Sequence, residues 1–213
     1  MRRIFAILPL DENGSVLVEA AIMAPIIFML VLGSMDLLFA FYEWNAAAKA
    51  VQVGARIAAV SDPVALGLNG LGSAAVSPSS PPGSPMPPFA VTCDGSTQTC
   101  ICSGQCAGVV GYDANAMSTI VYGRGSSACN DSAYYYKAGM CDFLSRITPA
   151  NVVIVYQWTG LGYAGRAGPV PTITISLQNL QFQFVLLRGL FGDIAIPGLT
   201  TSITAEDLSS NAF

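Results

Sequence analysis

One long apolar segment near the amino terminus restricts what this chain can fold into. No residue from Ala20 to Met35 is charged, and apolar residues resume after Asp36. At 1.5 Å per residue, about 20 helical residues cross the roughly 30 Å hydrocarbon core of a bilayer. A secretory signal peptide has a shorter apolar region of about 7–15 residues, and Tyr42 and Trp44 fit an interfacial aromatic belt. We therefore predict one retained transmembrane helix.

The composition of the 213-residue chain argues against several classes of function. Only 10% of the residues are charged, the formal net charge is −4, and there is no histidine. Nucleic-acid binding needs a basic surface, so no nucleic-acid partner is expected. The chain lacks the commonest general base and a preferred zinc ligand. Its carboxylates beyond the apolar segment show no spacing that singles out a catalytic pair. We expect neither enzymatic activity nor a cofactor.

The cysteines place the carboxyl-terminal part of the chain in an oxidising compartment. All six lie beyond the apolar segment, at Cys93, Cys100, Cys102, Cys106, Cys129 and Cys141. An even number of cysteines in an exported domain is typical of disulfides. A metal site is the alternative, but neither a CxxC pair nor a histidine supports it. We predict three disulfides and no metal. Cys129 and Cys141, which are separate from the other four, are expected to pair, although sequence alone leaves the connectivity open.

The helix is expected to extend beyond the membrane as an amphipathic helix. Apolar residues recur at alternating steps of four and three, which places them on one face. This stripe consists of Leu37, Phe41, Trp44, Ala48, Val51, Ala55 and Ala58. A neighbouring polar face carries Asn45, Lys49, Gln52 and Arg56. Pro63 predicts the end of the helix, because the residue before a proline disfavours the α region. The stripe can pack on another subunit, on the chain's own domain, or on both.

The rest of the chain predicts a linker followed by an α+β domain. Residues 62–88 contain the stretch SPSSPPGSPMPP, whose composition favours an extended linker or a surface loop. Short strands and loops are expected around FAVTC and the following cysteines. We predict helices over residues 132–147 and 185–191, and strands over residues 152–158, 172–177 and 199–205. A helix combined with antiparallel strands is an α+β fold.

A glycine precedes a glutamate by five residues at the head of the apolar helix. The stretch is G-SVLV-E, from Gly14 to Glu19. A carboxylate in hydrocarbon costs about 2.5–3.5 kcal/mol at a helix centre and less near an end, where it can reach the headgroups. The pattern resembles the processing site of type IV prepilins and pseudopilins. The resemblance implies that a membrane peptidase cuts after Gly14, that Ser15 becomes the new amino terminus, and that Glu19 meets the amine of a neighbouring subunit.

The wider segment resembles TadE-like proteins, the minor pseudopilins of the bacterial tight-adherence (Tad, or Flp) pilus. The similarity covers VEAAI, Pro25, the pair Gly33 and Asp36, the YEW edge, and AAAKAVQVGARIAAV. Further along the chain, TPANVVIVYQW, GPVPTITISL and ITAEDLSS are also similar to this family. The cysteine-rich middle, residues 63–141, is not.

The resemblance implies a non-enzymatic minor pseudopilin that primes or caps a pilus. Its partners would be other minor pseudopilins, pilus subunits, a prepilin peptidase and membrane lipid. The chain would divide into a leader (1–14), a transmembrane and amphipathic helix (15–61), a linker or loop (62–88) and an exported α+β domain (89–213). The protein would cross the bacterial inner membrane once, with its amino terminus cytoplasmic and its domain periplasmic, or extracellular within the pilus. An anchored exported binding or adhesin domain without a pilus role is the alternative.

Overall fold

The computed structural model describes most of the chain. The described residues are 12–130, 137–166, 168–184, 188, 189, 192, 194–205 and 208. The chain divides into an amino-terminal unit, Met1–Phe41 with Gln183–Asp193, and a carboxyl-terminal unit, Tyr42–Phe182 with Ile194–Phe213. A long apolar helix, an antiparallel sheet and three disulfides make the fold α+β, as the sequence predicted.

The first element is helix α1, Glu12–Ala59, which includes the whole apolar segment and continues through Pro25. The stretch Val16–Ala59 is long and apolar enough to cross a membrane, and its most apolar part is entirely exposed. Large apolar side chains on a water-facing surface are unfavourable, so a helix of this kind requires a lipid or protein environment. It is compatible with a single-pass membrane anchor. The helix ends at Ala59, shortly before Pro63, as predicted.

The second half of α1 belongs to the carboxyl-terminal unit and buries small residues. Ala47, Ala50, Val51, Ala55, Ala58 and Ala59 are buried in the core. Gly54 on the same face lies against Met140, and a Cβ at this glycine would come within 2.5 Å of the Met140 sulfur. Small side chains therefore permit the close approach of the helix to the domain.

A five-stranded antiparallel sheet forms the body of the carboxyl-terminal unit. Its strands are β2 (Phe89–Asp94), β3 (Thr99–Gly104), β5 (Val152–Gln157), β6 (Thr172–Leu177) and β7 (Thr200–Thr204). Their order across the sheet is β3-β2-β5-β6-β7. The short strands β1 (Ala65–Leu66) and β4 (Gly111–Tyr112) form a separate pair. The strands predicted over residues 152–158, 172–177 and 199–205 are confirmed as β5, β6 and β7.

The two faces of the sheet differ in burial, as alternating side chains require. The inner face carries Val91, Cys93, Val152, Ile154, Tyr156, Ile173 and Ile175, which are all buried. These residues form one hydrophobic core with the buried residues of α1 from Ala47 onward and with helix α3, Ala114–Tyr122. The opposite face is solvent-facing.

The helix predicted over residues 132–147 is wrong for its described part. Residues 137–147 contain no α-helix; Lys137 and Met140–Asp142 are in 3₁₀ conformation. Two tertiary contacts fix the position of this segment. Gly139 packs so closely against the backbone of Val121 that a Cβ would lie 2.4 Å from its carbonyl oxygen, and Cys141 is bonded to Cys129.

Helix α3 occupies a position that the sequence patterns did not single out. Asp113 caps its amino terminus by accepting hydrogen bonds from the backbone N–H groups of Asn115 and Ala116. Gly123 ends it with φ of 90°. An aspartate cap and a terminal glycine are the usual signals of a short helix. They flank ANAMSTIVY and could have located it.

Residues 62–88 are not an independent linker. Val64, Leu68, Leu71 and Met86 are buried in the core, and Leu71–Ala74 forms the short helix α2. The proline-rich part is an ordered surface loop, in which the Ser77 and Ser80 backbones bond to each other and the Ser80 and Ser84 hydroxyl oxygens lie 2.8 Å apart. The composition therefore indicated the loop but not the apolar residues that fix its ends.

The helix predicted over residues 185–191 lies mostly outside the described residues. Arg188 and Gly189, which the structure describes, are helical. An isolated bridge between Gln181 and Ala195 joins the chain on either side of this segment.

The burial pattern of α1 leads to a first prediction. Val51→Asp should lower the free energy of unfolding of the carboxyl-terminal unit by about 3–5 kcal/mol, because it leaves an uncompensated charge in the core. Val51 is 1% exposed, whereas the neighbouring Gln52 is exposed. Gln52→Asp is the matched control and should change stability by at most about 0.5 kcal/mol. Thermal unfolding of the full chain in detergent measures both. Equal destabilisation would show that the helix is docked in another register.

Candidate processing and assembly site

Gly14, Ser15 and Glu19 lie in the first turns of α1, which begins at Glu12. Four residues lie between the glycine and the glutamate, and the helix rises about 7.5 Å over these five steps. Glycine is among the weakest helix formers, at about 1 kcal/mol relative to alanine.

Glu19 stands among exposed apolar side chains. Val16, Leu17 and Val18 are 61–72% exposed, and Glu19 is exposed as well. A lone carboxylate in this setting is unfavourable in hydrocarbon unless a cation or the headgroup region neutralises or solvates it. A positively charged group that approached Glu19 would neutralise this carboxylate.

Asp36 is a second carboxylate of the apolar helix, and it differs from Glu19 in its surroundings. Only 3% of its surface is exposed. The sequence pattern drew attention to Asp36 as a family feature without assigning it a role. A buried carboxylate in a predominantly apolar helix is costly unless it has partners, and Asp36 has at least one.

The predicted apolar stripe divides into two parts. Leu37 and Phe41 are 54% and 68% exposed in the amino-terminal unit. Trp44 and Ala48 are half-buried and Val51 is buried in the carboxyl-terminal unit. The stripe therefore packs on its own domain at its carboxyl-terminal end and presents apolar side chains outward at the other.

An ion pair that the sequence patterns did not reveal fixes α1 to the domain. Arg146 Nη2 lies 2.7 Å from Glu43 Oε1, and both side chains are largely shielded, with 26% and 12% of their surfaces exposed. The contact has the distance of an ion pair but not the alignment of a hydrogen bond. Arg146 Nη1 also donates to the Gln181 carbonyl oxygen at 2.7 Å. One side chain thereby connects α1, the 140–147 loop and the segment after β6.

Three disulfides hold the cysteine-rich region. Cys93–Cys100 joins directly opposed residues of β2 and β3. Cys102–Cys106 joins β3 to the loop that follows it. Cys129–Cys141, the pair that the spacing favoured, ties the loop after α3 to the 3₁₀ turn. Among the residues that the structure describes, no cysteine is free and no cluster of acidic or cysteine side chains could hold a metal.

The perturbed ionisable groups of the domain have structural causes. Burial raises the pKa of the Tyr156 phenol well above its usual value, although the contact with Val64 opposes the shift. The phenol oxygen accepts a hydrogen bond from the Val64 N–H at 3.0 Å. Burial also tends to raise the pKa of Asp94, but hydrogen bonds from Ser96 and Gln178 outweigh it and lower the pKa. Tyr156 thus holds the segment at Val64 against the sheet, and Asp94 holds the segments at Ser96 and Gln178.

One comparison with known proteins finds a similarity to the amino-terminal helix. A family model described as TadE-like protein matches residues 14–56. Over these residues the chain is similar to TadE-like proteins. The match begins at Gly14, at the head of the apolar segment, and ends near the carboxyl terminus of α1. No curated protein and no solved structure matches the chain.

Proposed function

We propose that this protein is a minor pseudopilin of a Tad pilus and that a prepilin peptidase processes it after Gly14. The observation that carries the proposal is the start of the TadE-like match at Gly14, five residues before the carboxylate in the exposed apolar helix. The protein would be inserted in the bacterial inner membrane through α1. Its disulfide-containing domain would lie in the periplasm, since disulfides persist in oxidising compartments.

Processing would create the group that Glu19 requires. Hydrolysis of the Gly14–Ser15 peptide bond yields a glycine carboxylate on the leader and a protonated amine on Ser15. In a helical bundle, the amine of one subunit can approach Glu19 of the next, and the two charges are then neutralised together. This pairing offsets the cost of holding either charge in a medium of low dielectric constant.

The exposed part of the stripe would mediate contacts with other pilus subunits. Leu37 lies in this part, whereas the helix from Ala47 onward is occupied by the chain's own core. Helices in lipid associate through close packing rather than through the hydrophobic effect. The partners would be other minor pseudopilins with the same kind of apolar helix, and together they would prime or cap the pilus.

Site-specific photo-crosslinking tests this assignment. A benzophenone amino acid at Leu37, in cells that assemble the pilus, should give adducts with other pilus subunits. The same probe at Ile101, which is 73% exposed on strand β3, is the control and should not. Adducts with lipid alone at Leu37, in cells whose pili assemble, would contradict the proposed helix contact.

A further inference from the structure

A shallow cleft lies where strands β2, β3 and β5 end side by side. Its volume is about 260 Å³. Pro88, Ala90, Ser103, Gly104, Gln157 and Trp158 contribute to its lining. Ligand pockets for drug-sized molecules are larger, at about 300–1,000 Å³, so this cleft suits a single small ring or one unit of a longer chain.

The lining is polar but uncharged. Ala90 stands between Ser103 and Gln157 in the strand register, so a hydroxyl, a methyl and an amide lie next to one another. The serine hydroxyl and the glutamine amide can each donate and accept hydrogen bonds. A site for a phosphate or carboxylate ligand usually contains a cationic side chain, and a site for a metal ion usually contains carboxylates. The lining of this cleft contains no charged side chain. The chemistry fits a neutral ligand that itself both donates and accepts.

The solvent-facing side of the sheet, which we call the outer face, is also mostly polar and almost uncharged beyond the cleft. Its residues are Ala90, Thr92, Asp94, Thr99, Ile101, Ser103, Val153, Val155, Gln157, Thr172, Thr174, Ser176, Thr200, Ser202 and Thr204. None of them is buried, and Asp94 is the one charged residue among them. Five strands about 4.8 Å apart make a surface roughly 19 Å across, covered mainly by hydroxyl and methyl groups.

Gly104 lines the cleft at a position where a larger residue would not fit. Gly104 has φ of 82°, and a Cβ there would lie 2.4 Å from the Pro88 carbonyl oxygen. Trp158 lines the cleft from the other side of β2, where its backbone N–H donates to the Phe89 carbonyl oxygen, and its indole N–H is buried without an acceptor among the described residues. The apolar surfaces of Pro88 and Trp158 can contact C–H groups of a ring.

We propose that the cleft, with the part of the outer face formed by Ala90, Ser103 and Gln157, binds a neutral saccharide. A saccharide combines hydroxyls that donate and accept with C–H surfaces, and it carries no charge. A peptide would instead add to an edge strand through its backbone. This binding goes beyond the pilus role and does not require processing at Gly14 or assembly at Glu19.

Fluorescence titration of the full-length protein in detergent tests the proposal. The chain has two tryptophans, so Trp44→Phe leaves Trp158, in the cleft, as the only one. The probes are methyl β-glucoside, methyl β-galactoside and methyl N-acetyl-β-glucosaminide, with glucuronate as the anionic comparison. At least one neutral probe should change the Trp158 emission saturably with a roughly millimolar Kd, as expected for a ligand of this size. Glucuronate should bind more weakly.

Two substitutions in the cleft and one outside it complete the test. Gln157→Ala and Ser103→Ala should each weaken binding about three- to tenfold, the usual contribution of one hydrogen bond. Both residues are exposed, so the fold should be preserved. Thr200→Ala, on the far strand of the outer face, should leave the Kd unchanged. The proposal is overturned if no neutral probe gives a saturable change, if glucuronate binds as well, or if all three variants behave alike.

Discussion

Gly14→Ala is expected to leave the protein 14 residues longer than its processed form, still inserted in the membrane but excluded from the pilus. A peptidase that holds the backbone closely at the cut has no room for a Cβ. Displacement of a reacting bond by about 1 Å can slow a reaction roughly a hundredfold, so the unprocessed form should dominate. Immunoblotting of membranes for chain length, with co-purification of pilus subunits, measures both effects.

Gly33→Ala provides a matched control in the same apolar helix. A Cβ at Gly33 would meet no atom within 4 Å, so the substitution adds the same methyl group without a local clash. This variant should be processed normally. Normal processing of Gly14→Ala as well would remove Gly14 from the proposed site.

Glu19→Leu should act after processing. The substitution removes an insertion cost of up to about 2.5–3.5 kcal/mol, so the helix should insert at least as well. The amine of the neighbouring subunit would then be left without its counter-ion, at a cost of about 3–5 kcal/mol, which corresponds to a hundredfold or greater loss of assembly. Co-purification of the processed protein with other pilus subunits, together with a count of surface pili, gives the measurement.

Two further substitutions separate charge from shape at this position. Glu19→Gln keeps the size of the side chain and removes the charge, so it should fail in the same way as Glu19→Leu. Val18→Leu changes an adjacent exposed apolar residue and should assemble normally. If Glu19→Gln assembled as well as the unmodified protein, the carboxylate would have no role in pairing with an amine.

The elements that were predicted correctly are those whose periodicity is strong. The uncharged run of α1 and the β-branched strands β5 and β6 carry enough apolar residues at one spacing to decide their own conformation. Residues 132–147 also show approximate helical spacing, but Gly139 and the Cys129–Cys141 disulfide impose a tertiary constraint that local spacing does not contain. Helix α3 has nine residues, and its capping signals rather than its periodicity mark it.

Contacts between residues close in sequence can be predicted from the sequence, whereas contacts between distant residues cannot. Gly14 and Glu19 are close in sequence, so their spacing is visible directly, and their role stays a prediction. The ion pair between Glu43 and Arg146 joins residues far apart in sequence, and neither residue stands out in its local surroundings. The cleft at Gln157 likewise depends on the register of β2, β3 and β5, which sequence periodicity does not determine.

The amino terminus of the mature protein tests the central claim most directly. Intact-mass analysis and amino-terminal sequencing of the protein, purified from membranes of cells that assemble the pilus, should identify Ser15 as the first residue. A mature chain that begins at any other position, or one that retains the residues before Ser15, would contradict the assignment of a processed pseudopilin.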